Sequence, residues 1–198
     1  MKRRGLCAGT VALTGCSVLP QTPYLQRRDW PLDVHRTATV LPRRRGRVLL
    51  VRSLRAAPGL EARGLQWLQR DGSVHVDFYE QWAVPPAQAV EDDLRRWLAD
   101  AGLFVAVIAP GSQLSADFIL EGELTVFVAE PSAGRARAAL ALVLLDQRNS
   151  PTKVLLQRTE AAEVRLADQG PQAIAEAMRA AIVEVLHRTE VAIGAAVR

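Results

Sequence analysis

Cysteine is nearly absent from this sequence: two in 198 residues, Cys7 and Cys16. No CxxC pair occurs, which excludes a thioredoxin-like redox motif and a structural zinc site built on that spacing. Histidine is as scarce. His35, His75 and His187 stand far apart, with no HxxxH or HExxH spacing, so each reads as a surface or packing residue and no metal ligand set is expected. GxSxG, GxGxxG and the phosphate-binding GxxxxGK run are all missing, and Ser53, Ser73 and Ser112 lack the local context of a nucleophile. Neither an enzymatic reaction nor a cofactor is called for. Beyond residue 15, no uncharged apolar run approaches the roughly 20 residues that a membrane-spanning helix needs.

What the chain does have begins at residue 1. Lys2, Arg3 and Arg4 form a basic start, and no charge follows from Gly5 to Gly15. Eleven residues are too few to cross a bilayer as a helix. A basic start, a short apolar core and small residues at its end make an export signal that is not part of the fold. The run ends in Leu13-Thr14-Gly15-Cys16 and resembles the lipobox of bacterial lipoproteins, Leu-small-Gly/Ala-Cys. That resemblance implies fatty acylation of Cys16, whose thiolate is the nucleophile, and removal of residues 1–15. Several acyl chains hold a protein on a membrane stably where one does not. Ser17, where the enterobacterial retention rule would need Asp, directs the anchor to the periplasmic face of the outer membrane.

Processing also changes the charge balance. Residues 1–15 take three of the 25 basic residues with them and leave 22 against 21 acidic ones, a net charge of about +1. Apart from the cluster Arg43, Arg44, Arg45 and Arg47, read as a solvated loop, the apparent basicity belongs to the signal. No nucleic-acid partner is expected of so small an electrostatic footprint. The remaining residues, 16–198, suffice for one core and one domain.

Residues 16–46 hold Pro20, Pro23, Pro31 and Pro42 between charges and read as a lipidated tether and an extended entry segment. The folded domain is expected over 47–198. Val48–Val51 is a short apolar run, read as a central strand. Asp71-Gly72 between Leu65–Arg70 and Ser73–Tyr79 predicts a hairpin with a two-residue loop. That loop pairs Arg70 with Ser73, Trp67 with Val76 and Leu65 with Phe78. Val74, Val76 and Phe78 then share a face with Leu65 and Trp67. After Pro85-Pro86, Val90, Leu94, Trp97, Leu98 and Ala101 recur at helical spacing. Glu91 with Arg95 and Asp92 with Arg96 form i,i+4 pairs, Asp92-Asp93 lies on a solvated face, and Gly102 ends the helix.

Phe104–Ile108 reads as a strand. Asp117–Val128 alternates, with Phe118, Leu120, Leu124, Val126 and Val128 on one face and Glu121 and Glu123 on the other. Residues 135–146 and 153–165 form a second hairpin. Gly170-Pro171 opens a final helix with an apolar stripe of Ile174, Met178, Ala181, Ile182, Val185, Leu186 and Ile193. The fold class expected is α/β (α+β): a two-layer sandwich of a mixed, mostly antiparallel sheet with two helices on one face.

The stretch "FYEQWAVPPAQAVEDDLRRWL" from Phe78 to Leu98, with "PYLQ", "VLLVRSL", a following Pro-Gly-Leu and the long last helix in matching order, resembles the ABC-type transport auxiliary lipoproteins, the PqiC-like family. The resemblance implies a non-enzymatic accessory subunit of an MCE-type lipid transporter. Its partners would be an MCE-domain periplasmic protein, an ABC permease and an ATPase, and the membrane through the lipid anchor. Tyr79 and Trp82, at the end of a strand before the Pro-Pro stop, are candidate partner contacts; Trp82 capping the core beneath the first helix is the competing reading. Edge strands also leave homo-oligomers by strand addition open. A second function weighed is a lipid carrier holding an acyl chain between sheet and helices, and a third is a periplasmic hydrolase.

Overall fold

A computed structural model of the chain describes residues 26–40, 46–148 and 150–198. Nine strands and two helices follow in the order β1 (Arg28–Trp30), β2 (Val48–Val51), β3 (Arg55–Ala56), β4 (Gly64–Leu68), β5 (Val74–Trp82), α1 (Pro86–Asp100), β6 (Ala106–Ile108), β7 (Phe118–Glu130), β8 (Arg135–Asp146), β9 (Lys153–Arg165) and α2 (Pro171–Ala196). The strands build one mixed sheet. β7 and β8 pair antiparallel along their whole length, as do β8 and β9. On its other side β7 takes β2, β3 and β4 in turn, each parallel and short. β6 extends the sheet beyond β2, and β5 and then β1 extend it beyond β4.

Both helices begin at a proline, which suits a first turn whose N–H has no partner in any case. Their apolar stripes cover one face of the sheet. Leu94 and Leu98 of α1 and Met178, Ile182, Val185 and Leu186 of α2 are fully buried with Leu49, Phe118, Leu120, Leu124, Leu140 and Leu144 of the sheet. The layer between sheet and helices is therefore filled by side chains. The expected two-layer sandwich is the fold observed.

Two register changes depart from the sequence reading. At the first hairpin, Gln66 pairs with Val76, Trp67 with His75 and Leu68 with Val74. The loop takes three residues, Arg70 to Gly72: the Gln69 N–H donates to the Ser73 carbonyl at 2.8 Å, and Gly72 occupies the left-handed region at φ +85°. This is the turn-plus-left-handed-glycine form of a three-residue loop. The Asp71 carboxylate fixes it by accepting from the Ser73 N–H at 2.9 Å and from the Ser73 hydroxyl at 2.6 Å. One residue of slip turns every side chain to the other face. Val74, Val76 and Phe78 are accordingly 54%, 44% and 64% exposed instead of sharing the core face of Leu65.

The second change is a bulge at Thr125. Leu124 pairs with Leu140, but Val126 pairs with Ala139. An extra residue in one strand reverses its alternation, so Phe127 and Ala129 enter the core while Val126 and Val128 turn to the open face. Asp93 is a third correction. Expected in solvent, it is wholly buried. On that helix Arg95 reaches both Glu91 and Asp92, and Arg96 pairs with Asp93 and Asp33 instead of Asp92.

Candidate functional site

Cys16 and the residues read as signal and tether up to residue 25 lie outside the described residues, as do Arg43, Arg44 and Arg45. The described chain joins the fold at β1. Glu80, itself buried, accepts from the Arg28 Nε at 2.8 Å and from the Trp30 indole at 2.8 Å, and so clamps the entry strand to the edge of β5. Leu32 and Val34 are buried next.

The entry segment is then pinned by acids from both helices. The Val34 N–H donates to the Asp93 carboxylate at 3.3 Å. Burial pushes the Asp93 carboxyl up to about 7, against the opposing pull of Arg96 and that N–H. Glu190 of α2 accepts from Arg36 at 2.9 and 3.0 Å and from the Trp97 indole at 2.8 Å. Burial alone would raise the Glu190 carboxyl; the hydrogen bonds from Arg36 and Trp97 outweigh it and hold its pKa below the ordinary carboxylate value. The folded unit thus begins well before residue 47, and the chain enters it along the β1–β5 edge.

Trp82 and Tyr79 do not form one surface. Trp82 is 1% exposed and packs on Phe127 with ring centroids 5.3 Å apart, while its backbone exchanges hydrogen bonds with Arg63. It is a core residue. Tyr79 is 41% exposed and meets Phe78 edge to face at 5.2 Å. Both sit on a kink where the Asp77 carboxylate accepts from the Tyr79 and Glu80 N–H groups at 2.7 and 2.8 Å.

The helix-free face of the sheet carries two shallow grooves. One, of about 490 Å³, is lined by Arg52, Arg55, Glu121, Glu123, Gln157 and Arg158. Arg52 pairs with Glu121 and Arg55 with Glu123, so the acids of this groove are neutralised. The other, of about 410 Å³, is mostly apolar, with Leu60, Leu68, Val74, Val76, Val126 and Val128 in its walls. Its apolar character follows from the two register changes, which sequence alternation alone did not reveal; the Asp-Gly-Ser turn was the available signal. These features suit binding rather than bond-breaking. Among the described residues no cluster of three or more His, Cys, Asp or Glu is placed to hold a metal ion, and no helix is long and apolar enough to cross a membrane.

The family model for the ABC-type transport auxiliary lipoprotein component matches residues 31–188, nearly all of the folded unit. The chain belongs to this family. This auxiliary lipoprotein is therefore associated with ABC transport and with the cell envelope, and its family is not one of enzymes. A solved structure of protein XCC0632 from Xanthomonas campestris is similar at 23% identity, covering 80% of this chain and 93% of that one with a TM-score of 0.67. An uncharacterised protein of known structure is similar at 16% identity over 74% and 92%, with a TM-score of 0.63. Both share the fold. A search of the curated proteins gave no match.

Proposed function

We propose that this auxiliary lipoprotein is the anchored periplasmic subunit of an MCE-type lipid transporter, held at the outer membrane through acyl chains on Cys16 and docking the MCE-domain component there. The observation that carries the reading is the family match across the folded unit. The lipobox at Leu13–Cys16 supports the anchoring half. The docking half is supported by the open sheet face, which leaves the ion-paired groove of Arg52, Arg55, Glu121 and Glu123 accessible to a protein partner. Mixed, mutually paired charges at a rim contribute specificity more than raw affinity. Among the described residues the thirteen-residue β9 is paired on one side only, and such an edge is suited to strand addition by the partner or by a second copy.

An acyl chain held between sheet and helices is disfavoured by packing, because that layer is occupied by Trp82, Phe118, Leu94, Leu98 and Met178. The test is in-cell cross-linking of the tagged lipoprotein, followed by identification of the captured proteins. Recovery of an MCE-domain protein with its permease is the expected result, weakened when both Arg52 and Arg55 are changed to Glu. Capture of none across several linker lengths would refute the docking role.

A further inference from the structure

We propose that the exposed end of the first hairpin, Val74, Val76, Phe78 and Tyr79, is a lipid-contacting surface that lies on the membrane carrying the anchor. The proposal rests on the reading that Cys16 is acylated. Four large side chains on one nine-residue strand are between 41% and 64% exposed, and the apolar groove of Leu60, Leu68, Val126 and Val128 continues from them. Scattered exposed apolar residues are ordinary, whereas a contiguous patch marks a protein or membrane contact.

The path of the chain selects the membrane. The described residues start at Gln26, and the Arg27 guanidinium lies 4.5 Å from the centroid of the Phe78 ring. The anchored Cys16 is only ten residues before Gln26, a stretch that fully extended spans no more than about 35 Å. The anchor therefore keeps this corner of the domain within about 35 Å of the bilayer. Its chemistry fits the interface: Phe enters the acyl boundary, Tyr sits at headgroup level with its ring apolar and its hydroxyl wet, and Arg27 faces lipid phosphate. The carboxylate of Asp77 on the same strand is engaged by two backbone N–H groups and that of Asp71 by Ser73.

The test uses the lipidated mature chain in vesicles of phosphatidylethanolamine and phosphatidylglycerol. Cys7 leaves with the signal and the Cys16 sulphur is acylated, so a cysteine introduced by Phe78→Cys or Val74→Cys is the sole free thiol for an environment-sensitive fluorophore. Val154→Cys is the control: Val154 is equally exposed but lies on β9, four strand spacings from β5, roughly 19 Å. Blue-shifted emission at positions 78 and 74 that is quenched by brominated acyl chains, with water-like emission at 154, is the expected result. Water-like emission at 78 and 74 overturns the proposal. A blue shift without quenching also overturns it, because the occupant is then protein. A chain that fails to float with the vesicles overturns the anchoring reading and this inference with it, and flotation separates that failure from the others.

Discussion

Replacing Asp93 by Asn should leave the fold intact and remove a pH dependence that the carboxyl imposes. The Asp93 side chain is closed off from solvent beneath Val34, and its pKa rises from 3.8 to about 7. A carboxyl raised by burial binds its proton more tightly in the folded chain than in the unfolded one. Stability is then highest below the unfolded value, falls as pH climbs from about 4 to about 7, and stays at the lower level above that. Each pKa unit corresponds to about 1.4 kcal/mol, or about 4 kcal/mol for the whole interval at face value. Relaxation and water reaching the ionised carboxylate make its surroundings more polar than a dry interior, which brings the expected change to about 2 kcal/mol.

Asparagine keeps the acceptor for the Val34 N–H without the charge. In urea unfolding followed by tryptophan fluorescence, Asp93→Asn should exceed the parent by less than about 1 kcal/mol at pH 5 and by about 2 kcal/mol at pH 8. Comparing parent with variant at each pH cancels the other titrating groups. A variant destabilised equally at both pH values would refute the reasoning, since it would make the ionised carboxylate the form that holds the entry segment.

Other substitutions probe packing. Trp82→Ala removes a fully buried ring packed at a tilt against Phe127 and should cost about 3–5 kcal/mol in the same unfolding assay. Gly64→Ala would drive a methyl into the Asp77 carbonyl oxygen; a loss of about 1–3 kcal/mol is expected from such overpacking, visible as lowered hydrogen-exchange protection along β4 and β5. Glu190→Ala leaves the Arg36 and Trp97 donors without their acceptor and should cost about 1–3 kcal/mol, with residues 32–40 becoming accessible to protease.

Local patterning made much of the architecture legible. The apolar run at Val48–Val51, the prolines before both helices and the stripe from Ile174 to Ile193 each specify an element that the structure contains. Alternation failed where a single residue changes the count. The left-handed Gly72 adds a residue to the first loop, and Thr125 adds one to β7; the first reverses the faces of β5 as far as the register shift opposite Gly64–Gln66, and the second those of β7 beyond it. The exposed patch at Val74–Tyr79 is a product of the first reversal, and so could not be seen from period alone. Asp93 escaped for another reason: its burial comes from Val34, 59 residues earlier, a contact with no local trace. Trp82, read as a candidate partner contact, packs on Phe127 with 1% exposure, a long-range contact that no local pattern shows.

The acyl anchor decides the proposed role more than any other feature. Peptide mass spectrometry of protein taken from native envelopes should find residues 1–15 missing and Cys16 as the first residue, carrying fatty chains on its sulphur and its amino group. A free Cys16 thiol, or an intact Met1–Gly15 segment still joined to it, would contradict the anchored role.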